Sequence, residues 1–324
     1  MSRLGALGLA VAAMAGLALL GRVLPNWCVF LATMSFAKGL VALGLVVLMR
    51  GGLVSFGQGL FYCAGAYTAG LAMRWTGTGD AVLLAALGGL AALLLALIIA
   101  PLLAGYRGIF FATLTLALSM IAYGVLNKTR SLGGSDGINL RAPSFLGYQA
   151  ATSEAASYAL FVFAGIATVA AAVLCRLHFD SMRGLLSLAA RDNEIRVEYL
   201  GASVRRVTAV NFLIAGGLGG LGGALAALAL GHIDPDFAFW TTSGEFVFLA
   251  ILAGHASVTA VFLASILLEL VRSFSSQYFP HSWQMALGIF LLLIILFLPQ
   301  GLGSLLARRR PAAAPAPVAA ESAR

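Results

Sequence analysis

Nine apolar runs follow one another along this chain, near residues 4–23, 30–49, 53–73, 81–105, 109–127, 158–177, 207–231, 244–271 and 284–301. A helix needs about 20 mainly apolar residues to cross a hydrocarbon core about 30 Å thick, and most of these runs reach that length. Backbone polar groups in lipid must be satisfied within the segment, so helices are the expected element. A membrane barrel would instead show alternating segments of about ten residues, which these runs are not. The expectation is an all-α integral membrane protein, a polytopic helical bundle of about 8–10 transmembrane segments.

Composition matters where it excludes other classes. Only 10% of the 324 residues are charged, against about 25% in an ordinary soluble domain. The formal net charge of +8 would suggest nucleic acid for a soluble protein. Here the arginines stand between apolar runs, as the positive-inside bias places them, so the bilayer is the expected partner and nucleic acid is not. Cys28, Cys63 and Cys175 are scattered and lack CxxC spacing, which argues against a disulfide framework or zinc site and for small packing residues. Met1–Leu24 has the charge and apolar stretch of a signal peptide. No clear small-x-small cleavage site precedes a polar domain, so an uncleaved first span is expected. The tail from Arg308 is basic, then Pro/Ala-rich, and cannot bury a core. The domain expectation is a transmembrane domain over 1–306 and a disordered tail over 307–324.

Charge also sets orientation. Arg176, Arg183, Arg191, Arg196, Arg205 and Arg206 fall between the sixth and seventh runs, and Arg308–Arg310 open the tail. Both regions should be cytoplasmic, with 128–157 outside and the N-terminus inside. Three full crossings after residue 206 would then leave the tail outside. The conflict resolves if 244–271 does not cross but forms two short helices meeting at Gly254-His255-Ala256-Ser257 and re-enters on one side. The stretch 48–55 resembles 249–257, each an apolar run, a small-residue break and a serine; interrupted segments in two halves point to a transporter's site.

The run Ala215–Gly223 contains GxGxxG, but it follows no strand and lies within a span, so close helix packing explains it better than a dinucleotide. No GxxxxGK[ST], HExxH, GxSxG or paired-carboxylate pattern is present, so ATP would be hydrolysed by a partner, and no catalytic residue, metal site or cofactor is expected. His178, His232, His255 and His281 read as packing or interfacial residues. Lys38, in mid-span, either faces a partner or cavity or snorkels from a misplaced span. Glu245 either faces a cationic group of a substrate or caps the helix after Thr241-Thr242-Ser243. Across 181–206, Leu185, Leu188, Ala189 and Ile195 can share one helical face with charges opposite, which suits either docking on a partner or a solvated surface helix.

Five segments carry a family resemblance. They are Ala190-Arg191-Asp192-Asn193-Glu194 with Leu200-Gly201-Ala202; Gly133-Gly134-Ser135-Asp136-Gly137; Ser55-Phe56-Gly57-Gln58-Gly59 through Gly65-Ala66-Tyr67; Ile233-Asp234-Pro235-Asp236-Phe237 running to Glu245; and Phe297-Leu298-Pro299-Gln300-Gly301-Leu302. In this order, over roughly residues 40–303, the chain resembles the branched-chain amino-acid ABC transporter permease family. The resemblance implies a non-enzymatic permease of the bacterial inner membrane. A second permease subunit, cytoplasmic ATPase subunits and a solute-binding protein would be its partners. The ATPase would engage Gly184, Ala190, Arg191, Asp192, Asn193, Glu194 and Gly201. The substrate pathway would include Ser55, Gln58, Tyr67, Glu245, His255 and Ser257. Two departures bear on the solute: Gln58 stands where the family usually has His, and 253–260 lacks the usual Gly-Gly-x-Gly-Ser…Gly-Pro run. Branched-chain amino acids, related amino acids and amide or urea-like solutes stay open. The rival reading is an ion-coupled transporter or channel built on Lys38, Glu245 and the broken segments.

Overall fold

The structure is a computed structural model that describes residues 21–145, 147, 152–254, 257–297 and 301–303, with residues 14 and 16. Most of the expected first span, His255 with Ala256, and the tail over 307–324 lie outside the described residues. The helices are α1 (Asn26–Arg50), α2 (Gln58–Thr76), α3 (Ala81–Leu103), α4 (Gly108–Lys128), α5 (Ser153–Phe179) and α6 (Met182–Asp192). They continue as α7 (Glu194–Tyr199), α8 (Val204–Leu230), α9 (Trp240–Ala253), α10 (Val258–Tyr278) and α11 (Trp283–Phe297). Among the described residues six helices, α1, α3, α4, α5, α8 and α10, are long and apolar enough to cross a membrane. The chain is thus a polytopic helical membrane protein, as the apolar runs require.

Helix starts follow the capping rule that a short polar side chain satisfies an orphan N–H. Asp80 accepts from Val82 and Leu83 at α3. Thr152, Ser181, Asn193 and Ser203 do the same at α5, α6, α7 and α8. Asn193 is extended (φ −160°), so the stretch expected to present one helical face is instead two helices meeting at a bend.

The glycine run of α8 lets three neighbours approach it closely. A Cβ on Gly223 would overlap the Tyr62 carbonyl of α2, one on Gly222 the Ala37 carbonyl of α1, and one on Gly220 the Ala92 methyl of α3. Contacts at the backbone level replace side-chain interdigitation, as in membrane bundles built on small residues. The packing reading of the GxGxxG run therefore holds. Of these, α1 and α3 run antiparallel to α8: Gly44 of α1 meets Ala215 while Ala37 meets Gly222, and Gly88 of α3 meets Ala224 while Ala96 meets Gly216. Being central, α1 is buried on every face: its residues from Thr33 to Leu48 are all buried, Lys38 included. By contrast α3 and α4 expose Leu90, Leu94, Ile98, Ile109, Phe110 and Ile121, which suits lipid contact.

Two connectors interrupt this pattern. Residues 51–57 leave the end of α1 and turn back into the bundle before α2 begins. Residues 231–239 do so from the opposite end, between α8 and α9. There β2 (His232–Ile233) pairs antiparallel with β1 (Ile138–Asn139), and a 3-10 turn, Pro235–Ala238, leads to α9. The segments α1 to α4 and α8 to α11 thus pass through the same succession in opposite senses, an inverted repeat. The expected echo of 48–55 in 249–257 does not pair equivalent segments. The counterpart of 51–57 is 231–239, whereas 249–257 is the α9–α10 turn, equivalent to the α2–α3 turn.

The α9–α10 pair is a hairpin. Arg272 of α10 reaches back to Glu245 of α9, and Leu302 N–H donates to the Leu252 carbonyl at 2.8 Å. α10 runs antiparallel to α1, since Phe262 meets Gly39 and Ser265 Oγ donates to the Ser35 carbonyl. The turn after Gly254 therefore points to the end of the bundle that carries α6, and residues 301–302 lie there too. The expectation that 244–271 does not cross is corrected: α10 is one of the six helices long enough to cross, and Gly254 stands at the end of the bundle and not at depth. With 21 residues, α10 is also not short.

Candidate functional site

The two connectors converge in the middle of the bundle. Phe56 N–H donates to Thr115 Oγ1 of α4 at 3.1 Å, Gly57 N–H to Ser55 Oγ at 3.2 Å, and Gly59 N–H to Ser243 Oγ of α9 at 3.0 Å. Ser119 Oγ of α4 donates to the Ala238 carbonyl at 2.8 Å. Thr115 lies about 10 Å along an α4 helix about 31 Å long, so α2 and α9 both begin well inside the layer. Their N-terminal dipole ends meet there. Three hydroxyls from three elements satisfy the N–H groups that lead into α2, the requirement for irregular backbone at depth. Gln58 is fully buried, and neither polar atom of its amide has a hydrogen-bond partner.

A charged network lies on the other side of α9. Lys38 Nζ is 2.8 Å from Glu269 of α10 and 3.7 Å from Glu245, and Arg272 donates to Glu245 at 3.1 Å. Arg272 also sits over the Trp283 ring at 5.3 Å, a cation–π contact. Two acids and two bases therefore neutralise one another, which is how charge is tolerated in a span. Lys38 faces partners and does not snorkel. Glu245 is not a cap: α9 begins at Trp240 with no side-chain cap, and the carboxylate is engaged by Arg272 and Lys38.

The expected pathway residues are only partly gathered. Ser55 and Gln58 stand at the convergence point. Tyr67 is nine residues further along α2, about 180° around it; it is buried with an unpartnered hydroxyl. Glu245 belongs to the ion network. Ser257 is at the hairpin turn, 2.8 Å from Thr259 Oγ1, and His255 lies outside the described residues. The sequence reading missed Thr115, Ser119 and Ser243, which line the convergence. The four-residue spacing of Thr115, Ser119 and Tyr123 on α4, one helical face, was the available signal. It also missed Glu269 and Arg272, the partners that Lys38 and Glu245 required.

At the α6 end, Gly184, Ser187, Ala190 and Val197 face inward. A Cβ on Gly184 would overlap the His178 carbonyl, so α6 crosses the end of α5 at backbone contact. Arg191 packs over Gly52, whose φ is +76°. Glu194 pairs with Arg107 in the α3–α4 turn. Asp192 ends α6, Asn193 Oδ1 caps α7, and Gly201, with φ +82°, ends the turn after it. The leucines face the other way. Leu185 is 55% exposed, Ile195 66%, Tyr199 86% and Leu200 78%, and Arg183, Arg196 and Glu198 surround them as exposed residues. The shared face is thus an outward apolar patch with a charged rim.

At the opposite end, Gly137 has φ +71°, and a Cβ there would overlap the Ile233 carbonyl, which accounts for the glycine-rich 133–137 motif. His232 bonds Asn139 at 2.8 Å. Burial, and next the neighbouring Asp236, hold the Asp234 carboxyl above the usual carboxylate range, against the pull of His232 and of two backbone N–H groups.

The sequence profile of a family described as branched-chain amino acid transport system / permease component matches residues 28–298. The chain is similar to the high-affinity branched-chain amino acid transport system permease protein LivM of Escherichia coli (strain K12), with 30% identity over 294 residues, covering 84% of this chain and 69% of that protein. It is 29% identical over the same length and coverage to LivM of Salmonella typhimurium (strain LT2). No solved structure matches.

Proposed function

Because this chain belongs to the branched-chain amino acid transport permease family, we propose that it is the membrane-spanning subunit of an ATP-driven importer for branched-chain or related amino acids. The observation that carries the ATP-driven part is the outward apolar patch of α6 and α7. A solvated surface helix turns its leucines inward. This one buries glycine, serine and alanine and presents Leu185, Leu188, Ile195, Tyr199 and Leu200 outside the apolar layer, as a surface that a partner covers does. The partner is a cytoplasmic ATPase subunit, engaged by α6 and α7 around Arg191, Asp192 and Glu194. A second permease and a solute-binding protein complete the assembly in the bacterial inner membrane, with the α6 end and both termini cytoplasmic.

The substrate passes where the connectors converge, near Ser55, Gln58 and Ser243. ATP binding on the partners favours one arrangement of the α6–α7 segment over another, and that difference in affinity drives alternating access. The ion-coupled alternative draws less support, because Lys38 and Glu245 already satisfy each other through Glu269 and Arg272.

The test uses the chain reconstituted with its sister permease, ATPase and binding protein. Leucine uptake should require ATP, and a cysteine at Leu188 or Ile195 should cross-link to the ATPase. An impermeant thiol reagent should label Asn193→Cys only after the cells are opened. Labelling in intact cells, or uptake by the chain alone under a proton or sodium gradient, would overturn the proposal.

A further inference from the structure

Asn211 lies in the second turn of α8, away from both the convergence point and the outward patch, and it is buried with 2% exposure. Its Nδ2 donates to Ser187 Oγ of α6 at 2.7 Å. Its Oδ1 is 3.1 Å from His178 Nε2 of α5. An amide oxygen only accepts, so His178 carries its proton on Nε2. The first connector touches the same group: a Cβ on Gly51 would stand 3.0 Å from Ser187 Oγ and 3.4 Å from Asn211 Nδ2. One amide therefore ties α6, α5 and α8 together at the point where residues 51–57 begin.

We infer that Asn211 is a positioning residue that transmits displacement of α6 to α8, α5 and the first connector. The inference rests on the proposed role of α6 and α7 as the surface the ATPase engages. Hydrogen bonds weaken steeply with distance and misalignment. A slide of α6 by about 1 Å must therefore carry Asn211 along or leave buried donors and acceptors unpaired, which an apolar interior resists. The patch receives the push; the amide gives it a direction. Without the amide, α6 keeps its outward leucines and its seat on Gly184 but slips against α8.

The assembled transporter in proteoliposomes tests this through the number of solutes carried per ATP hydrolysed. Asn211→Leu keeps the volume and removes both bonds. It should retain ATPase activity within about twofold while the transport ratio falls about tenfold or more. Asn211→Asp still accepts from His178 and from the Ser187 hydroxyl, and should keep at least half of the ratio. Ser187→Ala removes one bond and should fall between them; it carries the test if Asn211→Leu does not assemble. An unchanged ratio in Ser187→Ala and in any assembled Asn211→Leu would overturn the inference. Failure of the wild-type patch to cross-link to the ATPase would instead remove the proposed function beneath it.

Discussion

Residues 51–57 and 231–239 both leave the end of a long helix and run back toward the middle of the bundle, yet different chemistry holds them. The first connector is short and is fixed by hydroxyls: Thr115 and Ser55 accept from its Phe56 and Gly57 N–H groups, and Ser243 from Gly59 just inside α2. Its start is pressed against α6, where Gly51 and Gly52 meet Ser187 and Arg191. The second connector is longer. It is held at its start by β pairing and the Leu140 N–H to Gly231 carbonyl bond, and at its end by aromatic contacts of Phe237 on Tyr62 and Phe239 on Tyr123. The helix it leads into is then locked by the ion network. An inverted repeat need not be chemically symmetric. The half facing α6 is held by glycines and hydroxyls, whereas the other half is held by strand pairing, rings and charges.

Five substitutions would break or sharpen this contrast, read by thermal unfolding in detergent. Lys38→Met should have the largest effect, about 3–5 kcal/mol, because it strands the Glu269 carboxylate in a span. Adding Glu269→Gln to Lys38→Met should recover most of that loss; no recovery would mean that α9 and α10 are not held by charge. Next, Gly137→Ala should cost about 2–3 kcal/mol, since the residue has φ +71° and faces the Ile233 carbonyl. Loosening should be confined to 231–239, measured by hydrogen exchange. Ser243→Ala leaves the buried Gly59 N–H unpaired and should cost about 1–2 kcal/mol. Exchange should rise at 57–60 and not at 231–235; equal effects at both connectors would erase the distinction.

The smallest effect belongs to Asp234→Asn. Burial raises the Asp234 carboxyl in the fold, so the fold favours the protonated form. That contribution is present at low pH and is lost as pH rises through the folded-state value. At neutral pH the variant should therefore unfold at the same temperature or up to about 2 °C higher, and the difference should vanish on acidification. A lower unfolding temperature at neutral pH would show that the ionised carboxylate is a needed contact of the second connector.

Much of this was legible in the residues. The apolar runs located α1, α3, α4, α5 and α8 to within a few residues, because lipid leaves a spanning chain few choices besides a helix. The Gly216–Gly223 run announced close packing, and the split charge pattern announced that 181–206 was set apart from the spans. The register of the inverted repeat was not legible. Glycine-rich apolar segments resemble one another wherever they occur, so 249–257 matched 48–55 in letters while 231–239 matched it in space. The bend at Asn193 was hidden as well, since an asparagine within a charged helix reads as a surface residue until its side chain is seen capping the next turn. Lys38 and Glu245 stood out as costly, but not their partners, which lie on a helix more than 200 residues from Lys38.

The sequence alone determined that this chain lives in a membrane, that helices span it, and that a charged segment is set apart from the spans. Those properties follow from transfer free energies, which each residue carries wherever it is placed. Only the tertiary structure decided that Lys38 is paired, that Gln58 and Ser243 stand at one point, and that a single asparagine joins three helices. Such facts depend on which distant segments meet, and distance along the chain says little about that once the backbone has folded back on itself.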